Sequence, residues 1–324
     1  MNRTFLLIGI FMLGKLTAGA QGVNFIIEKK WEDIKAEAQT SNKFIFIDCY
    51  TEWCSWCKVM DKKTFTDASV AEFMNQKFLP VKMDMEKGFG IDMARKFVVT
   101  GFPSFLVFNP SGKLVYRGIG YQEPEEFFKS LNIAIDPATG GYYEGVSEEI
   151  LLDFPQFYKD AFGGSKVAKR ASNETVKKYL ESQSELFTEV NWCVMARFET
   201  DDHFNDMILS NKDMLSKKYG ELVQQKIENI IYSKIGKAIK DSSEAELTAA
   251  ETLIDQHGTG DKESVKMSAR LDFYSSTGRW KDFVLAMENF VATTQYEDLG
   301  TINEYCWKIY EECKNQSVIT SACT

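Results

Sequence analysis

The sequence predicts an α/β domain, with a mixed sheet flanked by helices, followed by an all-helical domain. Three observations support this prediction. Between residues 31 and 135, segments of helical period alternate with short strands rich in β-branched and aromatic residues. After Asp136 the helical period continues almost without interruption to the end. The length of 324 residues suits two domains, since a typical domain has about 150 residues.

The elements of the α/β region follow one another without long loops. The first is a helix over residues 31–40, in which Trp31, Ile34 and Ala38 share one face. The later elements are, in order, a strand at 43–50, a helix that begins at the Cys54–Cys57 segment, a helical turn capped by Asp67, a strand at 78–85, a helix at 91–98, two strands joined by the turn at 109–112, and a helix at 123–135.

The helical region follows a predicted linker at 137–153 and covers residues 154–324. Its most informative part predicts two antiparallel helices joined by a turn at 275–278. Leu271 and Tyr274 lie on one helix, and Trp280 and Phe283 lie on the next. This pair resembles a degenerate tetratricopeptide-type repeat, because a bulky Phe283 stands where such repeats have Ala. An ordinary helical bundle accounts for the same pattern equally well.

The first twenty residues have the organisation of a cleavable secretory signal. Arg3 provides a positive start, an apolar run follows over residues 5–13, and Ala18 and Ala20 provide the small residues that precede cleavage. Lys15 interrupts the run before it could span a bilayer, which takes about 20 apolar residues. We therefore expect a signal peptide at 1–20 and the α/β domain at 21–136, exported to the periplasm, without membrane insertion after cleavage.

Composition excludes several function classes. The net charge of −9 and the absence of a basic run argue against a nucleic acid or an anionic membrane as partner. Seven cysteines are too few for a disulfide-built scaffold. Two histidines leave little room for His-based catalysis or a His-rich metal site. The chemistry is therefore expected to lie with a few cysteines.

The strongest local signal is the segment Cys54-Ser55-Trp56-Cys57. It lies between a buried strand and a helix, so Cys54 falls at a helix N-terminus, where free N–H groups and the helix dipole favour a thiolate. A thiolate attacks disulfides, and Cys57, one turn further on, can bridge to Cys54 and release the substrate. Trp53 adds an apolar contact surface beside the pair.

A zinc site and a structural disulfide are weaker interpretations of this spacing. A zinc site needs two further ligands, and Cys306 and Cys313 do not form a second pair of this kind. A purely structural disulfide over so short a loop would stabilise the fold little. We therefore expect no metal and no organic cofactor. The cysteines of the helical region are expected to be buried free thiols.

These motifs, taken together, resemble the thioredoxin family from about Lys43 to Leu131. The likeness is greatest to exported thioredoxin-like proteins with a WCxWCK core and to the reductase domain of the periplasmic disulfide-reducing system. The matching segments are IFIDCYTEWCSWCK at 45–58, TFTDASVAEF at 64–73, PVKMDM at 80–85, GFPSF at 101–105 and the glycines around Ile119. The resemblance implies a thioredoxin fold for the domain at 21–136.

The resemblance also implies a role for single residues. Cys54 would attack the disulfide of a substrate, and Cys57 would resolve the mixed disulfide that forms. Pro103 matches the family's cis-proline, and Phe102 before it would offer backbone groups to a substrate. The substrate surface would consist of the following residues: Trp53, Ser55, Trp56, Phe102 and Pro103.

Asp48 matches the family's buried acid, and Lys82 on the neighbouring strand is its expected partner. A lone Asp within an apolar strand is costly unless it is used or paired. The functional interpretation is proton transfer with Cys57, and the alternative is a structural hydrogen bond. Ser55 and Trp56 replace the family's Gly-Pro or Pro-His, so the direction of electron flow stays open. Cys49 is expected to be a small buried hydrophobe.

The sequence therefore predicts an exported thiol–disulfide oxidoreductase that reduces, or shuttles electrons to, disulfides in client proteins. Its electrons would come from a donor protein, for which a membrane reductase is one candidate. The alternative is a protein-binding or holdase module, in which the helical domain binds partners and the thioredoxin-like domain is a scaffold. Turnover that depends on Cys54 would distinguish the two.

Overall fold

The computed structural model describes residues 22–27, 29–136, 141–162, 168–294 and 299–322. The predicted signal peptide at 1–20 lies outside these residues, as does Cys323. The described residues form two compact units. The first unit extends to Tyr143 and also includes Ser147–Leu151. The second unit consists mainly of the residues from Lys169 onward. The predicted domain and linker boundaries remain predictions.

The first unit contains the alternation of helices and strands that the sequence predicts. Its elements are α1 (Trp31–Ser41), β1 (Phe44–Tyr50), α2 (Ser55–Lys62), α3 (Ala68–Lys77), β2 (Phe78–Asp84), α4 (Phe89–Lys96), β3 (Ser104–Phe108), β4 (Leu114–Ile119) and α5 (Pro124–Ile135). Asp67 caps α3, because its side chain accepts hydrogen bonds from the backbone amides of Ser69 and Val70.

The four strands form one mixed sheet in the order β2-β1-β3-β4. Strand β1 pairs in parallel with β2 and antiparallel with β3, and β3 pairs antiparallel with β4. The β3–β4 turn is a hairpin in which the side chain of Asn109 accepts hydrogen bonds from the amides of Ser111 and Lys113. The predicted mixed sheet flanked by helices is confirmed.

Aromatic side chains make up much of the core on one face of this sheet. The ring of Phe46 stacks on Phe105 at 5.9 Å and meets Phe127 edge-on at 5.7 Å. Phe65, which follows α2, contacts Phe127 at 5.6 Å. Edge-to-face pairs of this kind add to the gain from burial alone. The core therefore holds α2 and α5 against the central strand, which fixes the position of the helix that carries Cys57.

Part of the segment predicted as a linker packs on the first unit. Ile150 is buried, and the ammonium of Lys96 donates a hydrogen bond of 2.7 Å to the hydroxyl of Ser147. Lys96 is itself buried on α4. These contacts give residues 147–151 a defined place beside α4.

The described part of the second unit is helical throughout its regular elements. Its helices are α6 (Gln156–Asp160), α7 (Asn173–Glu181), α8 (Glu189–Arg197), α9 (Asp202–Ser210), α10 (Lys212–Tyr219), α11 (Glu221–Asp241), α12 (Glu244–His257), α13 (Lys262–Ser276), α14 (Trp280–Thr294), α15 (Leu299–Glu312) and α16 (Gln316–Ala322). The predicted all-helical character of this region is confirmed.

Helices α13 and α14 form the helical hairpin that the sequence predicts. Helix α13 continues to Ser276, so the turn is shorter than expected, and Gly278 then adopts a left-handed φ of 71°. Glycine takes this conformation without strain, so the chain reverses there. Phe283 is fully buried against Leu271 and Met287. The interpretation as a tetratricopeptide-like repeat remains a prediction.

The cysteines of the helical unit only partly follow the prediction. Cys193 and Cys313 are buried free thiols, whereas Cys306 is exposed, so the expectation of burial was wrong at that position. Cys306 lies on the outer side of α15, where Trp307 is also exposed. Among the described residues, no helix combines the length and the apolar composition that crossing a membrane requires.

Candidate active site

The site is built where the central strand β1 ends and helix α2 begins. Strand β1 ends at Tyr50, and Cys54 is the N-cap of α2. The amide of Cys54 donates to the carbonyl of Thr51 at 3.2 Å, which closes a tight turn between the two elements. The turn therefore places Cys54 at the end of the central strand and at the start of the helix.

Cys54 and Cys57 form a disulfide, so the structure shows the oxidised form of the pair. The backbone amide of Cys57 donates a hydrogen bond of 3.0 Å to Sγ of Cys54. This amide is one of the unpaired donors at the start of α2, and such donors stabilise negative charge on sulfur. The exposed fraction is 3% for Cys54 and 4% for Cys57. Both cysteines are therefore almost fully enclosed by the residues around them in the oxidised form.

The peptide bond between Phe102 and Pro103 is cis, as the family resemblance implies. The carbonyl of Pro103 accepts a hydrogen bond of 2.8 Å from the amide of Gly120, which ties this bend to the end of β4. In the part of the chain that the structure describes, the backbone groups of Phe102 form no hydrogen bond. The pairing of these groups with a substrate strand remains a prediction.

Two exposed tryptophans flank the disulfide. Trp53 is 58% exposed and Trp56 is 57% exposed, which is unusual for such large apolar side chains. The Trp53 ring meets the Phe102 ring edge-on at 5.7 Å, and its Nε1 donates to Oε2 of Glu86 at 3.1 Å. The Trp56 ring contacts that of Tyr121 at 5.2 Å. Both indoles are thus held in place while their faces stay open to solvent.

The two halves of the predicted substrate surface therefore meet. Trp53 and Phe102 are in contact although they lie far apart in the sequence, and Ser55 is exposed on the first turn of α2. Exposed apolar surface beside polar residues is typical of a site that contacts another protein. The sequence did not predict that Glu86 and Tyr121 contact these tryptophans, because neither residue lies in a recognisable motif.

Asp48 lies on β1, one of the two inner strands of the sheet. It is 1% exposed and pairs in register with Lys82 on β2. The ammonium of Lys82 donates to Oδ2 of Asp48 at 2.7 Å, as predicted from the neighbouring strands. The other oxygen of Asp48, Oδ1, is buried and has no hydrogen-bond partner among the described residues. That oxygen is free to accept a proton.

Asp61 is a further member of this cluster, which the sequence prediction missed. Its carboxylate also accepts a hydrogen bond from the ammonium of Lys82, and its side chain is 40% exposed. Asp61 follows Cys57 by one helical turn on α2, so the two share one face of the helix. That spacing was the signal that could have identified it. Lys82 thus bridges a buried carboxylate and a partly exposed one.

Burial dominates the protonation of this cluster. Desolvation raises the pKa of Asp48 to about 6, although the adjacent Lys82 opposes the shift. Desolvation acts to lower the pKa of Lys82, but the two neighbouring carboxylates outweigh it and raise that pKa, so the ammonium stays charged. Burial also raises the pKa of Cys49, which is fully buried, so that thiol remains protonated as a small hydrophobe.

The chemistry open to this arrangement is thiol–disulfide exchange, which uses the two sulfur atoms themselves. It needs a thiolate, a second thiol within bonding distance, and a group that takes up or returns a proton. Cys54 and Cys57 supply the two sulfur atoms, and the role of Asp48 as the proton-transfer group remains a prediction. Within the described ranges, no group of three or more His, Cys, Asp and Glu side chains is arranged to hold a metal ion.

Comparison with protein families matches residues 23–126 to a DsbH-type thioredoxin model, whose description is a protein of unknown function, DUF255. Curated relatives carry the name thiol:disulfide interchange protein DsbD. The protein from Campylobacter jejuni is 27% identical over 117 residues, which is 36% of this chain and 20% of the relative. That from Actinobacillus pleuropneumoniae is 32% identical over 96 residues, which is 29% of this chain and 16% of the relative.

Solved structures match the same region. A Bacteroides thetaiotaomicron protein, provisionally described as a disulphide-isomerase, is 35% identical and covers 37% of this chain and 98% of its own, with a TM-score of 0.35. A DsbH oxidoreductase is 16% identical and covers 40% of this chain and 94% of its own, with a TM-score of 0.33. The chain spans a fifth or less of the length of the two DsbD relatives.

Proposed function

We propose that this chain, whose residues 23–126 are a thioredoxin-like domain of the DsbH type, is a protein-disulfide oxidoreductase. The observation that carries the proposal is the Cys54–Cys57 disulfide at the N-terminus of α2, where the ring of the adjacent Trp53 meets that of Phe102. The two sulfurs, the unpaired backbone of Phe102 and the open faces of Trp53 supply the parts that exchange with a protein disulfide requires.

In the first step, the reduced protein attacks its client. The thiolate of Cys54 forms a bond to one sulfur of a client disulfide, the client's S–S bond breaks, and the client's second sulfur leaves as a thiolate. The amide of Cys57, 3.0 Å from Sγ of Cys54 in the oxidised form, supports the thiolate before attack. The backbone of Phe102 holds the client segment by strand-like pairing.

In the second step, Cys57 resolves the mixed disulfide. Its thiol loses a proton, its sulfur bonds to that of Cys54, and the remaining client sulfur leaves as a thiolate and is protonated. Asp48 is the proton acceptor that we propose, because its pKa of about 6 leaves it mostly ionised near pH 7, yet able to return the proton. Lys82 holds its carboxylate in place.

The cycle closes when a dithiol on a donor protein reduces the Cys54–Cys57 disulfide. Two electrons then pass from the donor to the client, and the protein returns to its starting state. We propose the reducing direction because the named relatives are thiol:disulfide interchange proteins and the buried acid retains its Lys82 partner. The client proteins and the donor, with a membrane reductase as one candidate, belong to this proposal.

We also propose that the protein is exported. Support comes from the pattern of residues 1–20, which combines Arg3, an apolar run and the small residues up to Ala20. A periplasmic protein would meet client disulfides that the cytosol keeps reduced. The N-terminal sequence of the protein recovered from the periplasm tests this: Gln21 is the expected first residue, and Met1 would contradict cleavage.

Turnover with insulin as the client and dithiothreitol as the reductant tests the activity. We expect Cys54→Ser to reduce the rate to that without protein, since no nucleophile remains. Cys57→Ser should accumulate a mixed disulfide between Cys54 and insulin, visible on a non-reducing gel. The matched control is Cys306→Ser, which removes an exposed thiol from α15 and should leave the rate unchanged.

An equal rate for wild type and Cys54→Ser would contradict the oxidoreductase function. If the same Cys54→Ser protein still suppressed aggregation of an unfolding client as well as wild type does, the holdase alternative would take its place. Equilibration of the Cys54–Cys57 pair with glutathione measures its reduction potential. A potential near that of strong protein oxidants would reverse the proposed direction while leaving the chemistry intact.

A further inference from the structure

The helical unit contains a cavity of about 280 Å³ beside the C-terminal end of α8. Its walls come from α8, from the residues that follow it, from Asn205 on α9, from α11 and from the segment before α7. The polar and charged side chains in these walls include Arg170, Arg197, Glu199, Lys226, Asn229 and Ser233. Nothing in the redox mechanism uses these residues.

Lys226 on α11 is the least expected member of this set. It is 3% exposed, and its ammonium donates one hydrogen bond, of 2.8 Å, to the carbonyl of Phe198. An ammonium has three donors, and Lys226 forms no ion pair with any residue that the structure describes. A buried cation that is not directly paired with a carboxylate is costly, and the charge of Glu199 offsets the effect of burial on the Lys226 pKa only in part. An acceptor that enters the cavity would satisfy its remaining donors.

Two guanidinium groups line the same cavity. Arg170 is exposed and, within the described residues, pairs with no carboxylate. Burial lowers the pKa of Arg197, and the charge of nearby Arg170 lowers it further. Glu199 is the one carboxylate in the described cavity wall, and its oxygens already accept hydrogen bonds from Ser233 at 2.6 Å and Asn173 at 3.1 Å. The cavity therefore has more cations than anions.

We propose that this cavity binds a small oxyanion, held by the ammonium of Lys226 and the guanidinium of Arg170, while Arg197 adds positive charge to the cavity wall. A planar guanidinium matches the paired oxygens of a carboxylate or of a tetrahedral oxyanion. The volume of about 280 Å³ falls just below the range of about 300–1,000 Å³ that is usual for drug-sized ligands. The ligand is therefore small. It is either a free tetrahedral oxyanion or a carboxylate, and the carboxylate can belong to a short free acid or to an acidic side chain.

The affinity of this cavity for an anion should depend on pH. Burial lowers the pKa of Lys226 to about 7, although the charge of Glu199 opposes this shift. The charged groups that line the cavity are Lys226 on α11, Arg197 on α8, Glu199 after α8 and Arg170 before α7. An anion binds the protonated form of Lys226, whose population falls about tenfold between pH 6 and pH 8. The affinity should fall by a similar factor.

Isothermal titration of the full chain with sodium sulfate and, separately, with sodium acetate tests the proposal. Sodium chloride keeps the ionic strength constant, and neither anion titrates between pH 6 and pH 8. We expect binding that weakens about tenfold over this range and at least about fivefold in Arg170→Gln. Lys226→Met should abolish it. The matched control is Lys178→Met, which removes an exposed lysine of α7 outside the cavity.

Binding of either anion that Arg170→Gln weakens supports the site, and preference for acetate identifies a carboxylate as its ligand. Lys226→Met also removes the hydrogen bond to the carbonyl of Phe198, so this variant could fail to fold. In that case Arg170→Gln alone tests the proposal, because the side chain of Arg170 is exposed and its replacement leaves the fold intact. No heat with either anion at pH 6, or equal affinity for wild type and Arg170→Gln, would overturn the proposal.

Discussion

The ammonium of Lys82 donates a hydrogen bond of 2.7 Å to Oδ2 of Asp48, across neighbouring parallel strands. The same ammonium contacts the carboxylate of Asp61 on α2. One cation thus connects a fully buried acid on the central strand with an acid that reaches solvent. The coupling between these three charged groups leads to the first three predictions.

Replacing Asp48 with Asn should slow the resolving step of the redox cycle. The amide cannot take the proton of Cys57, and general-base catalysis by a positioned group contributes about 10²–10⁴-fold. We expect attack on the client to proceed at nearly the rate of wild type, so the mixed disulfide should accumulate. Rapid quenching and gel analysis of both steps measures the effect. Resolution that is as fast as in wild type at every pH would reject the proton transfer.

The same substitution should change stability in a pH-dependent way. The pKa of Asp48 is raised to about 6 in the folded state, so between about pH 4 and pH 6 the carboxyl ionises in the unfolded chain but stays protonated in the folded one, and the native state loses stability as pH rises over this range. The loss over this range is about 3 kcal/mol. Asp48→Asn has no carboxyl to ionise at this position. In urea unfolding, its free energy of unfolding should therefore rise relative to that of wild type between pH 4 and pH 7. A constant difference between the two proteins would contradict the raised pKa.

Asp61→Asn should move the pH profile of the resolving step to lower pH. Besides burial, the charge of Asp61 raises the pKa of Asp48, and its removal also leaves the Lys82 ammonium to Asp48 alone. The pKa of Asp48 should therefore fall. The measurement is the rate of resolution from pH 4 to pH 8. Asp92→Asn, which removes a carboxylate from α4, is the control and should leave the profile in place.

Trp53→Ala and Trp56→Ala should weaken binding of protein clients while leaving the disulfide chemistry intact. The open faces of these indoles are the large apolar surface beside the disulfide, and aromatic side chains of this kind carry much of the energy of protein contacts. We expect KM for insulin to rise about tenfold, with reduction of a small disulfide changed less than about twofold. Both side chains are more than half exposed, so stability should change by about 0.5 kcal/mol or less.

If both tryptophan variants lowered the rates for insulin and for the small disulfide equally, the tryptophans would act on the sulfurs rather than on the client. Leu285→Ala is the control, because it removes a similarly exposed apolar side chain from α14. It should leave both rates unchanged.

Phe283→Ala should destabilise the helical unit by about 3–5 kcal/mol, which is the usual cost of removing a buried Phe. Its ring is fully buried and meets those of Trp280 at 5.6 Å and Tyr305 at 5.8 Å. Leu285→Ala on the same helix should cost about 0.5 kcal/mol or less, since that side chain is exposed. Urea unfolding followed by circular dichroism measures both, and equal costs would contradict the packing of α14.

The sequence alone was sufficient for features that depend on neighbouring residues. The period of residues 31–40 predicts α1, and Asp67 predicts the start of α3, because a helix and its cap form between residues within one or two turns. The Cys54–Cys57 spacing and its place between a buried strand and a helix predict the redox pair for the same reason. The Asp48–Lys82 contact came from the family resemblance together with the order of the strands.

The tertiary structure decided the features that join distant parts of the chain. Asp61 and Lys82 lie 21 positions apart, and Lys226 and Phe198 lie 28 apart, so no local pattern indicates that they meet. The same holds for the exposure of Cys306, which depends on how α15 packs. Packing determines which side chains share a buried space, and burial in turn sets their charge: it raises the pKa of Asp48 and lowers that of Lys226.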